Sequence, residues 1–365
     1  MATALTVAHI EMGQHLYGGA QQVLYLLDGL ADVDIASILV CPQGSAIAEA
    51  ARAQGSRVIE MPYSGDLDWR AIGRLRALFR AHAVDLVHIH SRRGADIWGA
   101  LAARREGLPC VLSRRVDNRE SRWAVALKYP LYDAVITISE GIKRVLLECG
   151  VPEAKITCVR SAVDFARFQQ PADRERLRQR FDLPSDARVV AIAAQLIERK
   201  GHQVLLAALP DLIVRWPSLH VLVLGQGPLR ASLDQQIDAM GLAAHVHMVG
   251  FVKDLETVLP SVEALVHPAL IEGLGVVLLQ AASAGVPVIA SRAGGMPEAV
   301  VDAQTGWLVE PGDVAGLQRA LVALLEAPDQ AKAYGRAGQD RMQREFSIEQ
   351  MVAGNAQVYH ALTRH

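Results

Sequence analysis

Apolar, β-branched runs recur along the chain at 5–10, 35–41, 57–61, 85–90, 110–112, 134–139 and 156–159, each followed by a stretch with helical spacing of apolar residues. Runs this uniformly apolar leave no face for water, so they predict strands of a parallel sheet covered on both sides by helices. After a polar stretch at 169–186 the rhythm restarts, with strands expected at 189–194, 220–224, 246–249, 264–267, 288–290 and 307–309. A break near 161–171, where Pro171 precedes a charged helix beginning at Asp173, separates two doubly wound α/β halves. The expected domains are residues 1–165 and 166–345, with a terminal segment, 346–365, whose helix is free to pack back on the first domain. Sheets of this kind bind ligands beyond the carboxyl ends of their strands, so the loops there are the places to look for chemistry.

A chain of 365 residues exceeds what one core usually organises, which agrees with two domains. Hydrophobic residues at 51% with aromatics at only 5% suit an aliphatic α/β core. A net charge of -2 predicts no bulk attraction to nucleic acid. Cys41, Cys110, Cys149 and Cys158 lack CxxC spacing and read as reduced small hydrophobes. The start of the chain lacks a basic, long apolar leader, and no run reaches the ~18 apolar residues of a membrane span, so a cytoplasmic location is expected.

Gly18-Gly19-Ala20 follows the first strand and opens an amphipathic helix. Glycines allow close backbone approach, and a helix start offers unpaired N–H donors, a combination suited to phosphate; a tight turn is the plainer alternative. The pattern is not the GxGxxG of a dinucleotide fold, which counts against a nicotinamide oxidoreductase.

The most informative block runs from His267-Pro268-Ala269-Leu270-Ile271-Glu272-Gly273-Leu274-Gly275 through an apolar helix to Gln280-Ala281, then Gly285-Val286-Pro287-Val288-Ile289-Ala290 and Gly294-Gly295. It resembles the donor site of the retaining family 4 glycosyltransferases, which have the GT-B fold of two Rossmann-like domains facing across a cleft. Lys200-Gly201-His202, Gly225-Gln226-Gly227-Pro228-Leu229, Gly250-Phe251-Val252, Pro297-Glu298 and Thr305-Gly306 add to the resemblance, which spans essentially the whole chain. It implies a cytoplasmic hexosyltransferase acting with retention, without metal or cofactor, on a nucleotide-sugar co-substrate. By that resemblance Glu272 orients the sugar, Lys200 neutralises the leaving diphosphate, and His90 faces the transferred sugar. Gly18, Gly19, Gln195, Arg199, Gly227, Val252, Leu274, Gly275, Val276 and Gln280 would complete the donor site. Two positions depart from the family: Gln195 stands where an Arg is usual, and Gln280 where a second Glu is usual. The first loses a cation and the second the charge that strengthens a carboxylate hydrogen bond.

Alternation places His88 and His90 on one strand face. A zinc pair is conceivable, but no carboxylate or cysteine accompanies the two, and a structural histidine is the stronger rival. Asp32-Val33-Asp34 and Asp66-Leu67-Asp68 spell DxD; the first is expected to begin a strand and the second to lie in a loop, so neither is taken as a metal site. Between positions 70 and 128 thirteen Lys or Arg face five acids, a local excess of eight. Arg92, Arg93, Arg114 and Arg115 follow two strands and are expected at the rim, where guanidinium forks would bind an anionic acceptor. Arg70, Arg74 and Arg76 read as a solvated helix face. The basic region, with Trp123, suits anionic headgroups at the inner face of the plasma membrane. These features predict a glycan or lipid-linked acceptor such as lipopolysaccharide core or an exopolysaccharide precursor, with a UDP-sugar as the favoured donor. The alternatives are a catalytically impaired binding subunit, or an epimerase or phosphorylase on the same architecture.

Overall fold

The computed structural model of the protein describes residues 5–91 and 94–363. Strands β1 (Leu5–Ile10), β2 (Ile35–Pro42), β3 (Arg57–Met61), β4 (Leu86–Ile89), β5 (Cys110–Arg114), β6 (Ala134–Thr137) and β7 (Ile156–Cys158) form one sheet in the order β3-β2-β1-β4-β5-β6-β7. A second sheet, ordered β10-β9-β8-β11-β12-β13, contains β8 (Arg188–Ala193), β9 (Leu219–Leu224), β10 (Val246–Gly250), β11 (Ala264–His267), β12 (Val288–Ser291) and β13 (Gly306–Val309). Pairing is parallel throughout both sheets. The strands are buried on both faces, as their unbroken apolar runs require: β4, β5, β6, β9, β11 and β12 are buried at every position.

The chain divides into two units, one comprising residues up to Ala162 with the C-terminal segment from Ile348, the other Val163–Ser347. In the first, Met351, Val352, Ala356 and Tyr359 of the Ile348–Thr363 helix join Val7, Leu26 and Leu30 in one apolar cluster. Gly29 makes that packing possible, because a Cβ there would stand 2.5 Å from Val352 Cγ2. In the second, the core gathers Val190, Ile192, Leu205, Leu209, Val221 and Val266 from β8, β9, β11 and the His202–Arg215 helix.

Two local differences from the expected pattern matter. Strand β4 ends at Ile89, so His90 is the first residue beyond it, its N–H donating to the Ile10 carbonyl at 2.9 Å. Asp32-Val33-Asp34 does not begin a strand: it is the turn before β2, with Asp34 at φ 57°, a left-handed conformation that a short polar side chain tolerates. In each sheet the strand order reverses beside the first strand of the unit, between β1 and β4 and between β8 and β11. Those reversal points open crevices at the carboxyl ends of the strands.

Candidate active site

In the Val163–Ser347 unit, the turn after β8 and the loop after β11 meet at the reversal point. Gly201, at φ 73°, fits so tightly that a Cβ would lie 1.9 Å from the Pro268 carbonyl oxygen. The Leu270 N–H donates to the Arg199 carbonyl at 2.8 Å, which fastens one loop to the other. Lys200 and Glu272 consequently form a direct ion pair, with side chains only 12% and 13% exposed. His267, buried at the end of β11, lies 3.0 Å through Nε2 from the same Glu272 oxygen, and the Gly273 N–H donates to the other carboxylate oxygen at 3.1 Å. Burial pushes the Glu272 carboxyl up, but the His267 hydrogen bond and the Lys200 charge outweigh it and hold Glu272 well below the usual carboxylate range. Burial lowers the His267 pKa against the opposing pull of Glu272, so the ring is neutral and donates from Nε2.

Lys200 is therefore a cation already in contact with a carboxylate. It ends a single 3-10 turn, Glu198–Lys200, and is held by its carboxylate partner. Arg199 turns elsewhere, its Nη1 donating to the Ile271 carbonyl at 3.5 Å. Gln195 is half-buried in the turn after β8, and Gln280 half-buried in the Val276–Ser283 helix; neither side chain has a hydrogen-bond partner among the described residues. Leu274 and Val252 are buried, Gly275 takes φ 84° at the start of that helix, and Val276 is its first residue. Gly227 lies so close to Leu196 that a Cβ would fall 2.6 Å from its carbonyl oxygen. His267 and the buried His202, whose pKa falls to about 4 chiefly through burial, carried no assigned role in the sequence. The signal for His267 was its place at the carboxyl end of a buried strand, five residues before Glu272.

In the other unit a pocket of about 280 Å³ opens beyond β1, β4 and β5, lined by Tyr17, Gly19, His90, Arg114, Arg115 and Lys128 among others. Beneath it three buried histidines, His9, His88 and His90, bring one ring nitrogen each within 4.8 Å of the others. His88 lies 2.5 Å from the Tyr359 hydroxyl and 2.9 Å from Ser113 Oγ. His90 Nδ1 is 3.2 Å from Arg115 Nη2, and His90 Nε2 is 3.0 Å from His9 Nδ1. Burial lowers all three imidazole pKa values, His9 to about 3, so the rings are neutral. A resident cation fits this cluster poorly, because a guanidinium already touches His90 and both nitrogens of His88 face hydroxyls. His9 was missed in the sequence, although its register opposite His88 across β1 and β4 is what completes the cluster.

The expected row of rim arginines is corrected in part. Arg114 is only 2% exposed and donates to the Asn118 carbonyl at 2.7 Å, so it lies beneath the loop after β5. Arg92 and Arg93 lie outside the described residues. Arg74 and Arg76 are not a free solvated face: they pair with Asp68 and Glu106 at 2.5 and 2.6 Å. Arg80 pairs with Glu106, Arg119 with Glu148, and Lys128 with Asp96 and Glu120; of the acids in these pairs only Asp68 and Glu148 lie outside the counted segment, so most of its excess stands.

Residues 173–341 match the family model described as Glycosyl transferases group 1, and residues 17–167 match Glycosyltransferase Family 4. The chain is 31% identical over 316 residues to the GDP-mannose-dependent alpha-(1-6)-phosphatidylinositol monomannoside mannosyltransferase of Mycolicibacterium smegmatis, covering 80% of each chain. The protein belongs to the group 1 glycosyltransferases. Its GT-B fold is shared with Anabaena Alr3699/HepE, solved with UDP and glucose, at a TM-score of 0.88 and 19% identity over 98% of this chain and 100% of that one. It is shared also with WaaG, a glycosyltransferase involved in lipopolysaccharide biosynthesis, at a TM-score of 0.71 and 15% identity over 98% and 100%. Among the described residues of this glycosyltransferase no helix is long and apolar enough to cross a membrane.

Proposed function

We propose that this glycosyltransferase moves a hexose from a nucleotide sugar bound by the Val163–Ser347 unit onto an anionic glycan or lipid-linked acceptor of the cell envelope, with retention of configuration. The observation that carries the reading is the Lys200–Glu272–His267 arrangement beside the Val276 helix start. A carboxylate fixed by an imidazole and a backbone N–H is set to accept hydrogen bonds from sugar hydroxyls, while the lysine and the helix start meet the diphosphate. In the step proposed, the bond from the anomeric carbon to phosphate breaks as the acceptor oxygen bonds to that carbon, and the departing phosphate takes the acceptor proton. Cationic side chains then do the work of a metal, and no protein nucleophile is needed.

The acceptor class is supported by the arginine-lined pocket and by the surface beside it. Leu67 (88% exposed), Trp69, Trp123 (83%) and Leu127 project into solvent. Asp66 accepts a hydrogen bond from Trp98 at 2.9 Å and Lys128 pairs with Asp96 at 2.7 Å, so the first turn of the Ala95–Glu106 helix joins the two exposed segments into one patch. Arg70 and Arg122, which have no ion-pair partner among the described residues, flank it. Such a patch suits the headgroup layer of an anionic bilayer, where a lipid-linked acceptor would be presented.

The test incubates the protein with UDP-glucose, UDP-galactose and GDP-mannose and measures nucleoside diphosphate release with and without lipid-linked acceptor. Acceptor-dependent release supports the proposal, and the responding nucleotide decides between UDP, the base first favoured, and the GDP-mannose used by the mycobacterial relative. Binding without release would identify an impaired relative, the reading that Gln195 and Gln280 favour; acceptor-independent conversion, or a need for free phosphate, would identify an epimerase or phosphorylase. In the same preparation, binding to vesicles of phosphatidylglycerol should fall about tenfold in the W123S/L127S variant, following loss of apolar burial; unchanged binding would remove the patch from the proposal.

A further inference from the structure

His90 cannot offer the pocket a free ring nitrogen. A guanidinium only donates, so the 3.2 Å contact makes His90 Nδ1 an acceptor from Arg115 Nη2. A neutral ring then carries its proton on Nε2, which donates to His9 Nδ1 at 3.0 Å. His9 in turn bears its proton on Nε2, a buried atom with no partner among the described residues. Both nitrogens of His90 are engaged within the protein, and the group they present to the pocket is Arg115.

Arg115 shares the pocket with Arg114 and Lys128, and with the buried carboxylate of Glu11, whose charge acts on its guanidinium. Its stem lies against the start of the Gly18–Ala31 helix, where a Cβ on Gly19 would be 3.5 Å from Arg115 Cδ. That helix start has no side-chain cap and no acidic residue in its first turn, so its N–H groups and partial positive charge face the same space. Among the described residues, Arg115 Nε is buried without a hydrogen-bond partner, and so are Nε and Nη1 of Arg114, a side chain only 2% exposed on the same pocket. Buried donors without a partner are rare, and a ligand acceptor would satisfy those that Glu11 and Glu120 leave unmet.

We propose that Arg115 is the residue that meets the substrate's phosphoryl or carboxyl group in this pocket, and that His90 and His9 are positioning residues that hold its guanidinium. The proposal rests on the glycosyl-transfer reading and reverses the role that family resemblance gave His90. The anion is either the donor diphosphate or an acid group of the acceptor.

The decisive measurements compare R115A, R115Q, H90A and H90N. R115A and R115Q should each lower kcat/KM about 100-fold, the usual scale for loss of a charged donor at a transferring group. Guanidinium ion at millimolar concentration should restore part of the R115A activity and none of the H90A activity. H90A should lose about tenfold, and H90N, whose Oδ1 can accept from Arg115 as Nδ1 does, should recover most of that loss. A raised donor KM in R115Q assigns the anion to the donor, and a raised acceptor KM alone assigns it to the acceptor. Full activity in both Arg115 variants, or H90N as impaired as R115A, would overturn the proposal. Should the wild type turn over no nucleotide sugar, the transfer reading fails by itself, and inorganic pyrophosphate still decides the role of Arg115. In a K200A background, pyrophosphate should raise the melting temperature, R115Q should abolish that rise and H90N should keep it; no rise, or equal loss in both, refutes the assignment.

Discussion

The two units place their chemistry at equivalent reversal points of parallel sheets and give it opposite electrostatic character. In the Val163–Ser347 unit, Lys200 and Glu272 are full opposite charges in contact, nearly withdrawn from water. In the other unit, three imidazoles are kept neutral by burial, and the charge beside them is shared by Arg114, Arg115 and Lys128 with the carboxylates Glu11, Asp96 and Glu120. The same backbone framework therefore supports a fully ionised pair in one place and a neutral imidazole cluster in the other.

The comparison is broken most severely by removing one half of the pair. K200M or E272L should each cost about 3 kcal/mol of stability, because the surviving charge is left buried and alone, whereas the K200M/E272L double variant should recover most of that loss. All three should lose about 100- to 1,000-fold in turnover, since the transition-state contacts are gone in each. Urea unfolding gives the stability cycle and nucleoside diphosphate release gives the turnover. Additive stability losses in the double variant would mean that the two side chains do not depend on each other.

Acid should sharpen the contrast. Glu272 has a depressed pKa, so its contribution is present above the ordinary carboxylate value and is lost only as pH falls below it through the folded value. A buried neutral histidine behaves differently. His9 titrates at about 3 in the folded state against 6.5 in the unfolded chain, so the unfolded state binds more protons below pH 6.5 and stability falls as pH drops from there. From pH 7.5 to pH 5 this amounts to about 2 kcal/mol for His9, and H9Q should flatten the measured profile by that much. An unaltered profile in H9Q would show that His9 titrates alike in the folded and unfolded chain, contrary to this reading.

The strand rhythm was legible because a parallel sheet buried on both faces leaves a simple trace: β1, β3 and β11 fall on the predicted residues, and most other strand ends differ by only one or two. The meeting of Lys200 with Glu272 followed from two loops at one reversal point. What stayed hidden depended on side-chain partners brought together from distant segments. The arginines of the segment's first helix read as a solvated positive face until Arg74, Arg76 and Arg80 are found paired with Asp68 and Glu106. His90 reads as a free catalytic group until His9, eighty-one residues away, and Arg115 are found on its two nitrogens. Periodicity reports which face a side chain occupies; it carries no information on how many of its polar atoms are already engaged.

The smallest expected effect concerns Gln280. It lies just past the first turn of the Val276–Ser283 helix and has no side-chain partner among the described residues, so the Q280E variant changes charge without breaking a contact. A carboxylate near a helix start is mildly favoured by the dipole, and the change in stability should stay within about 0.5 kcal/mol. If position 280 meets the ribose hydroxyls of the donor, a charge-assisted bond replaces a neutral one and should tighten nucleotide-sugar binding about fivefold, near 1 kcal/mol. Calorimetric titration of the wild type and Q280E with the responding nucleotide sugar measures this directly. Equal affinities would place Gln280 outside the donor site.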